Sequence, residues 1–142
     1  MTGFIVDASV LVKHLVSGPQ AEVARDFLQQ LKADEFVTVT DFCLTECTNA
    51  IWKQHRFHGM SEDMAFRVFD LLRETDLRIV PADPFPGESL ALGMRHRLAI
   101  YDACYIAIAA DLGYPLVSLD RRQLRAASAE GLNLINIASH PL

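Results

Sequence analysis

The stretch GFIVDAS, residues 3–9, decides how the rest of the chain reads. Phe4, Ile5 and Val6 form a short apolar run rich in β-branched and aromatic residues, the pattern of a strand buried on both faces of a parallel sheet. The run stops at Asp7. A carboxylate at the carboxyl end of a central parallel strand lies where open α/β proteins place their ligands. Asp7 and Ser9 are equally good helix N-caps, so this stretch alone serves a structural reading as well as a functional one. Acids further along the chain separate the two.

Outward from that strand, residues 9–17 read as a short helix with Val10, Leu11 and Leu15 for burial, broken at Gly18-Pro19. A second helix over 20–32 carries Val23, Phe27, Leu28 and Leu31 at helical spacing, and FVTVT, 36–40, is the next strand. From 42 to 58 a helix places Cys43, Leu44, Cys47 and Ile51 on one face, and Gly59 ends it. On the adjoining face Glu46, Asn49 and Lys53 project together, at spacings of three and four residues. A helix from Ser61 uses Met64, Val68, Phe69 and Leu72, and a short strand over 77–80 is closed by Pro81. The prolines and glycine of DPFPG, 83–87, predict a loop, and 88–97 a helix with Leu90, Leu92 and Met94 inward.

The segment YDACYIAIAADLG, 101–113, is apolar on all sides between 103 and 110, as for a helix through the interior, with Asp102 in its first turn. A strand over 116–119 runs into Asp120, a helix over 121–130 turns Leu124 and Ala127 inward, and LNLINI, 132–137, is the last strand. This alternation predicts a mostly parallel five-stranded sheet of order 3-2-1-4-5 with helices on both faces. Strands one and four then end side by side at the topological switch point, which makes Asp7 and Asp120 neighbours.

At 142 residues the chain is expected to be one domain, residues 1–142, and its 51% hydrophobic content is that of a folded protein. Its start lacks the basic and apolar pattern of a secretory signal, and no apolar block is long enough to span a bilayer. A cytoplasmic protein without membrane contact is therefore expected. Three cysteines, Cys43, Cys47 and Cys104, lack a close-spaced CxxC pair and read as core residues. The five histidines, His14, His55, His58, His96 and His140, form no HExxH pattern, so zinc is not expected. A net charge of −5 speaks against nucleic-acid binding unless the acids are sequestered. The cations are grouped: Lys53 and Arg56, Arg95 and Arg97, then Arg121, Arg122 and Arg125.

Four acids are candidates for one site: Asp7, Glu46, Asp102 and Asp120. Carboxylates crowded together raise one another's pKa, and a divalent cation removes the conflict. Hard oxygen donors without His or Cys suit Mg²⁺, with Mn²⁺ as a substitute. Such an ion activates water and stabilises the leaving oxygen of an in-line displacement, which points to phosphodiester hydrolysis.

The segments FIVDASVLVK, LTECTNAIW, YDACYIAIA and LVSLDRRQLRAA, in this order and spacing, resemble the PIN domain, in particular the VapC-type toxin ribonucleases of type II toxin–antitoxin systems. The resemblance spans nearly the whole chain. It implies a metal-dependent endoribonuclease in which Asp7, Glu46, Asp102 and Asp120 are catalytic and hold the metal. It also implies that Ser9 and Asn49 order the site and that Ser118 lines its edge. Lys13, Lys53, Arg121 and Arg122 are candidates for the phosphates on either side of the scissile bond, whereas Trp52, Tyr101 and Tyr105 read as core. The implied partners are an RNA substrate, a second copy of the chain and a cognate antitoxin. Two rivals fit less well: a haloacid-dehalogenase phosphatase needs a second Asp where Ser9 stands, and a receiver domain needs an Asp where the third strand ends in Val80-Pro81. An RNA-processing nuclease without a toxin role and a non-catalytic binding module remain as alternatives.

Overall fold

A computed structural model describes residues 2–16 and 18–137; Ser17, expected to close the first helix, and the tail from 138 onward with His140 lie outside the described residues. The chain runs β1 (Thr2–Val6), α1 (Ala8–Lys13), α2 (Ala21–Gln29), β2 (Glu35–Thr40), α3 (Cys43–His58), α4 (Glu62–Glu74), β3 (Arg78–Val80), α5 (Pro86–His96), α6 (Ile100–Leu112), β4 (Leu116–Ser118), α7 (Arg121–Ala129) and β5 (Leu134–Asn136). The strands form one five-stranded sheet in the order β3-β2-β1-β4-β5, and each described pairing is parallel. The expected topology is therefore observed.

In β1, Phe4, Ile5 and Val6 are all buried although successive strand residues face opposite ways, so both faces of the central strand are covered. Phe4 meets Phe27 of α2 edge to face, with ring centroids 5.5 Å apart. Gly3 is required by packing: a Cβ there would stand 2.5 Å from the Tyr114 ring and 2.7 Å from that of Phe36. Helix α6 is buried from Ala103 to Ala109, as its uniformly apolar sequence demands. None of the described helices is long and apolar enough to cross a membrane.

Three expectations need correction. Pro86 and Gly87 belong to α5 and not to a loop, because proline's fixed φ suits the first helical position, where no N–H is needed. The same helix buries Ser89 and Gly93, while Leu90 and Met94 are exposed. The cause is close packing of α5 on α6, since a Cβ at Gly93 would lie 2.9 Å from Ile100 Cδ1. Met64 of α4 is likewise exposed, leaving Val68 and Leu72 as that helix's buried residues.

Helix α5 turns into α6 through Arg97, whose φ of 55° is left-handed, and the Arg97 carbonyl accepts from Arg122 Nη2 at 2.8 Å. Glu130, just beyond α7, pairs with Arg95 and with His96, the latter at 2.7 Å. These ties fix the start of α6, and so the place of Asp102.

Candidate active site

Asp7 sits at the N-cap position of α1, yet its side chain makes no capping bond. Its carboxylate is held from both sides instead: Ser9 Oγ donates to Oδ1 at 2.6 Å, and Ser118 Oγ, at the end of β4, donates to Oδ2 at 3.1 Å. Both hydroxyls are themselves fixed, Ser118 by accepting from the Asp120 N–H at 2.9 Å and Ser9 by accepting from the Leu119 N–H at 3.4 Å. Adjacent parallel strands thus bring residues 111 positions apart into contact. Burial pushes the Asp7 carboxyl up from 3.8 to about 7; the two hydroxyls hold it back, and the charges of Asp102 and Asp120 add to the rise.

Of the other three acids, Asp102 and Asp120 lie near enough for their charges to bear on Asp7, and Glu46 is near enough to feel Asp102. Glu46, on α3, is half-buried and accepts from the Tyr105 hydroxyl at 2.8 Å. Burial raises its pKa, the Tyr105 bond opposes that, and the charge of Asp102 adds to it. Asp102 lies in the first turn of α6 and does not cap it, that position being Ala99. Its pKa is raised by burial and by Asp120, against the pull of Arg122. Asp120 caps α7, its Oδ1 accepting from the N–H groups of Arg122 and Gln123 at 2.9 and 3.3 Å. For Asp120, then, the capping role expected of an Asp at a helix start is real, and one carboxylate oxygen remains outside it.

A cleft of about 710 Å³ opens beside Glu46, lined among others by Ser9, Lys13, Asn49, Lys53 and Tyr101. The shared face of Glu46, Asn49 and Lys53 therefore becomes one wall of it. Asn49 is exposed there, and among the described residues it makes no hydrogen bond to the four acids. Ser118 does not line an edge: it is fully buried and acts from beneath as the link between Asp7 and Asp120. Arg121 is exposed at the start of α7, and Arg122 reaches back to the Arg97 carbonyl.

Four residues escaped the sequence reading. Tyr105 is buried as expected, but as the donor to Glu46; it stands one helical turn beyond Asp102, a spacing that could have been noticed. Gln123 is fully buried, and its Nε2 donates to the Asp102 carbonyl at 3.1 Å while its backbone N–H bonds Asp120. A polar residue three positions into a helix and facing inward was the available signal. Trp52 and Tyr101, expected in the core, are 52% and 60% exposed.

Mutual repulsion and burial leave these carboxylates short of positive charge, and their donors are all hard oxygens, so the set suits a hard divalent cation. Among the described residues, no three His, Cys, Asp or Glu side chains are arranged to hold an ion as they stand. Three of the four acids have oxygens committed elsewhere, Asp7 both of its own to Ser9 and Ser118, Glu46 one to Tyr105 and Asp120 one to its helix start. The free oxygens of Glu46, Asp102 and Asp120, with the second lone pairs on those of Asp7, are what a cation could recruit.

A family model described as the PIN domain matches residues 4–129. The chain is 31% identical over 120 residues to ribonuclease VapC3 of Pyrobaculum aerophilum, covering 83% of this chain and 89% of that protein. Among solved structures it resembles Mycobacterium tuberculosis VapC20, described as a sarcin–ricin loop cleaving toxin, with a TM-score of 0.69, 16% identity, and 94% and 98% of the two chains covered. A chain of a toxin–antitoxin complex from Klebsiella pneumoniae matches with a TM-score of 0.60, 17% identity, and 94% and 96% coverage. At those identities the two structures speak for the fold.

Proposed function

From the premise that the chain belongs to the PIN-domain family, and among its members to the VapC type, we propose that it is an endoribonuclease that hydrolyses RNA phosphodiester bonds with a divalent cation, Mg²⁺ or in its place Mn²⁺. The observation that carries this reading is the buried Asp7 carboxylate at the switch point of the sheet, held by Ser9 and Ser118 with Asp102 and Asp120 near enough for their charges to bear on it. Acids gathered in this way suit a site that receives a positive charge.

In this reading Asp7, Glu46 and Asp102 hold the cation, and Asp120 uses its free oxygen to hold a second ion or to orient the attacking water. The cation, when bound, lowers the pKa of water and stabilises the leaving oxygen. Ser9 and Ser118 hold Asp7 in one orientation, with both its oxygens accepting, and Tyr105 does the same for Glu46. Lys13 and Lys53 hold phosphates along the cleft wall, and Arg121 and Arg122 those nearer α7.

The protein is the toxin of a pair, restrained by an antitoxin and active as a homodimer; the name of the VapC3 relative and the toxin–antitoxin description of the Klebsiella complex support the toxin and antitoxin parts of this reading. An apolar groove between α3 and α4, lined by Ile51, Trp52, Phe66 and Phe69, supports protein contacts of that kind. The deciding experiment incubates purified, antitoxin-free protein with total cellular RNA in Mg²⁺, Mn²⁺ or EDTA, alongside Asp7→Asn and Asp102→Asn. Discrete fragments that need metal and vanish in both variants are expected. Folded protein that cuts no RNA with any metal, or variants that cut as well as the parent, would replace the nuclease by a binding module.

A further inference from the structure

Tyr101 has no structural task that accounts for its position. Its side chain is 60% exposed although it is aromatic, it lies on the cleft wall with Lys13, Glu46 and Lys53, and it directly precedes Asp102. The ring is backed by Phe42, with centroids 5.1 Å apart and planes at 70°. Phe42 in turn meets Tyr105 at 5.6 Å and 83°. Three rings thus lead from the residue that bonds Glu46 out to solvent. A T-shaped contact occupies at most one face of the Tyr101 ring, so a face remains unstacked toward the cleft.

We propose that Tyr101 is the stacking platform for an RNA base next to the scissile phosphate, with Lys13 and Lys53 taking the neighbouring phosphates. The proposal rests on the ribonuclease reading above and adds how the single strand is gripped. Single-stranded nucleic acid is held by cationic grooves that follow the backbone and by aromatic rings on which bases stack. Both parts are present on this wall, which also carries Glu46, and Tyr101 adjoins Asp102 in the chain. Stacking accepts every base, so Tyr101 supplies affinity and leaves sequence choice to other contacts.

The test uses a single-stranded RNA spanning the mapped cleavage site, with Ca²⁺ in place of Mg²⁺ and the RNA checked for integrity on a gel. Binding is followed by fluorescence anisotropy for the parent protein, Tyr101→Phe and Tyr101→Leu, with an abasic nucleotide placed at each position in turn. Tyr101→Phe is expected to bind within about twofold of the parent and Tyr101→Leu about 5- to 150-fold more weakly. One abasic position should weaken the parent by a similar factor and leave Tyr101→Leu unaffected. If the parent binds no RNA at all, the ribonuclease reading falls, and the platform with it. If the parent binds but Tyr101→Leu matches it, or feels the abasic site as strongly, the platform is refuted and the ribonuclease reading stands. A loss confined to binding of a protein partner refutes it in the same way.

Discussion

Replacing Asp7 by Asn is expected to stabilise the metal-free protein at alkaline pH while depriving it of cation binding. The carboxyl ionises near 3.8 in an unfolded chain and near 7 in the folded one. The folded state therefore holds a proton over that interval which the unfolded state has released, and stability falls as pH rises through it. Below the interval both states are protonated and nothing is lost; above it the loss is complete. At ~1.4 kcal/mol per pH unit, the whole interval is worth about 4 kcal/mol. Asparagine keeps the local geometry, because its carbonyl oxygen accepts from Ser9 and its amide can donate to Ser118, whose hydroxyl has lone pairs to accept it. Urea unfolding in EDTA at several pH values gives the difference between variant and parent, in which titrating groups that do not interact with Asp7 cancel. That difference should stay within about 1 kcal/mol at about pH 4 and reach several kcal/mol in favour of Asp7→Asn at about pH 8, with equal m values. Mg²⁺ should then narrow the gap by stabilising the parent alone. A gap that ignores pH, or a variant less stable than the parent at high pH, would show that burial of Asp7 does not raise its pKa.

Two further outcomes follow from the residues behind the acids. Tyr105→Phe removes the donor to Glu46 and should cost about 1–2 kcal/mol of stability and about 10- to 100-fold in cation affinity measured by calorimetry; unchanged affinity would mean that the bond does not orient the carboxylate. Gln123→Leu removes the tie to the Asp102 carbonyl together with a buried Oε1 that has no partner among the described residues. Thermal unfolding should therefore move by less than the equivalent of about 1 kcal/mol, while kcat falls about tenfold or more with KM little changed.

The sheet order was legible because each of the short apolar runs FIV, FVTVT and LVS is followed by a helical pattern, and right-handed parallel crossovers leave few arrangements. The meeting of Asp7 with Ser118 and the neighbourhood of Asp120 come from that order, not from any local signal. Helix α5 misled because hydrophobic periodicity assumes that large apolar residues point inward. Here the facing helix is so close that only Ser89 and Gly93 fit. Tyr101 and Trp52 misled for the converse reason: an aromatic at helical spacing has the same signature in a core and on a wall. Gln123 and Tyr105 left a signal in their positions, an inward polar residue and one a turn beyond Asp102, but their partners were not legible because each bonds to a residue on another helix.

The central strand is also the first one made. β1 leaves the ribosome with Asp7 at its end, but its neighbour β4 begins only at residue 116, and the cap of α7 at residue 120. A chain that emerges amino end first carries at most two of these four acids until residue 102, and it cannot place β4 beside β1 until residue 116 has been made. The sheet order thus delays assembly of the proposed site: a nascent chain shorter than 120 residues lacks the fourth acid. A product truncated anywhere before residue 102 lacks two of the four proposed catalytic acids.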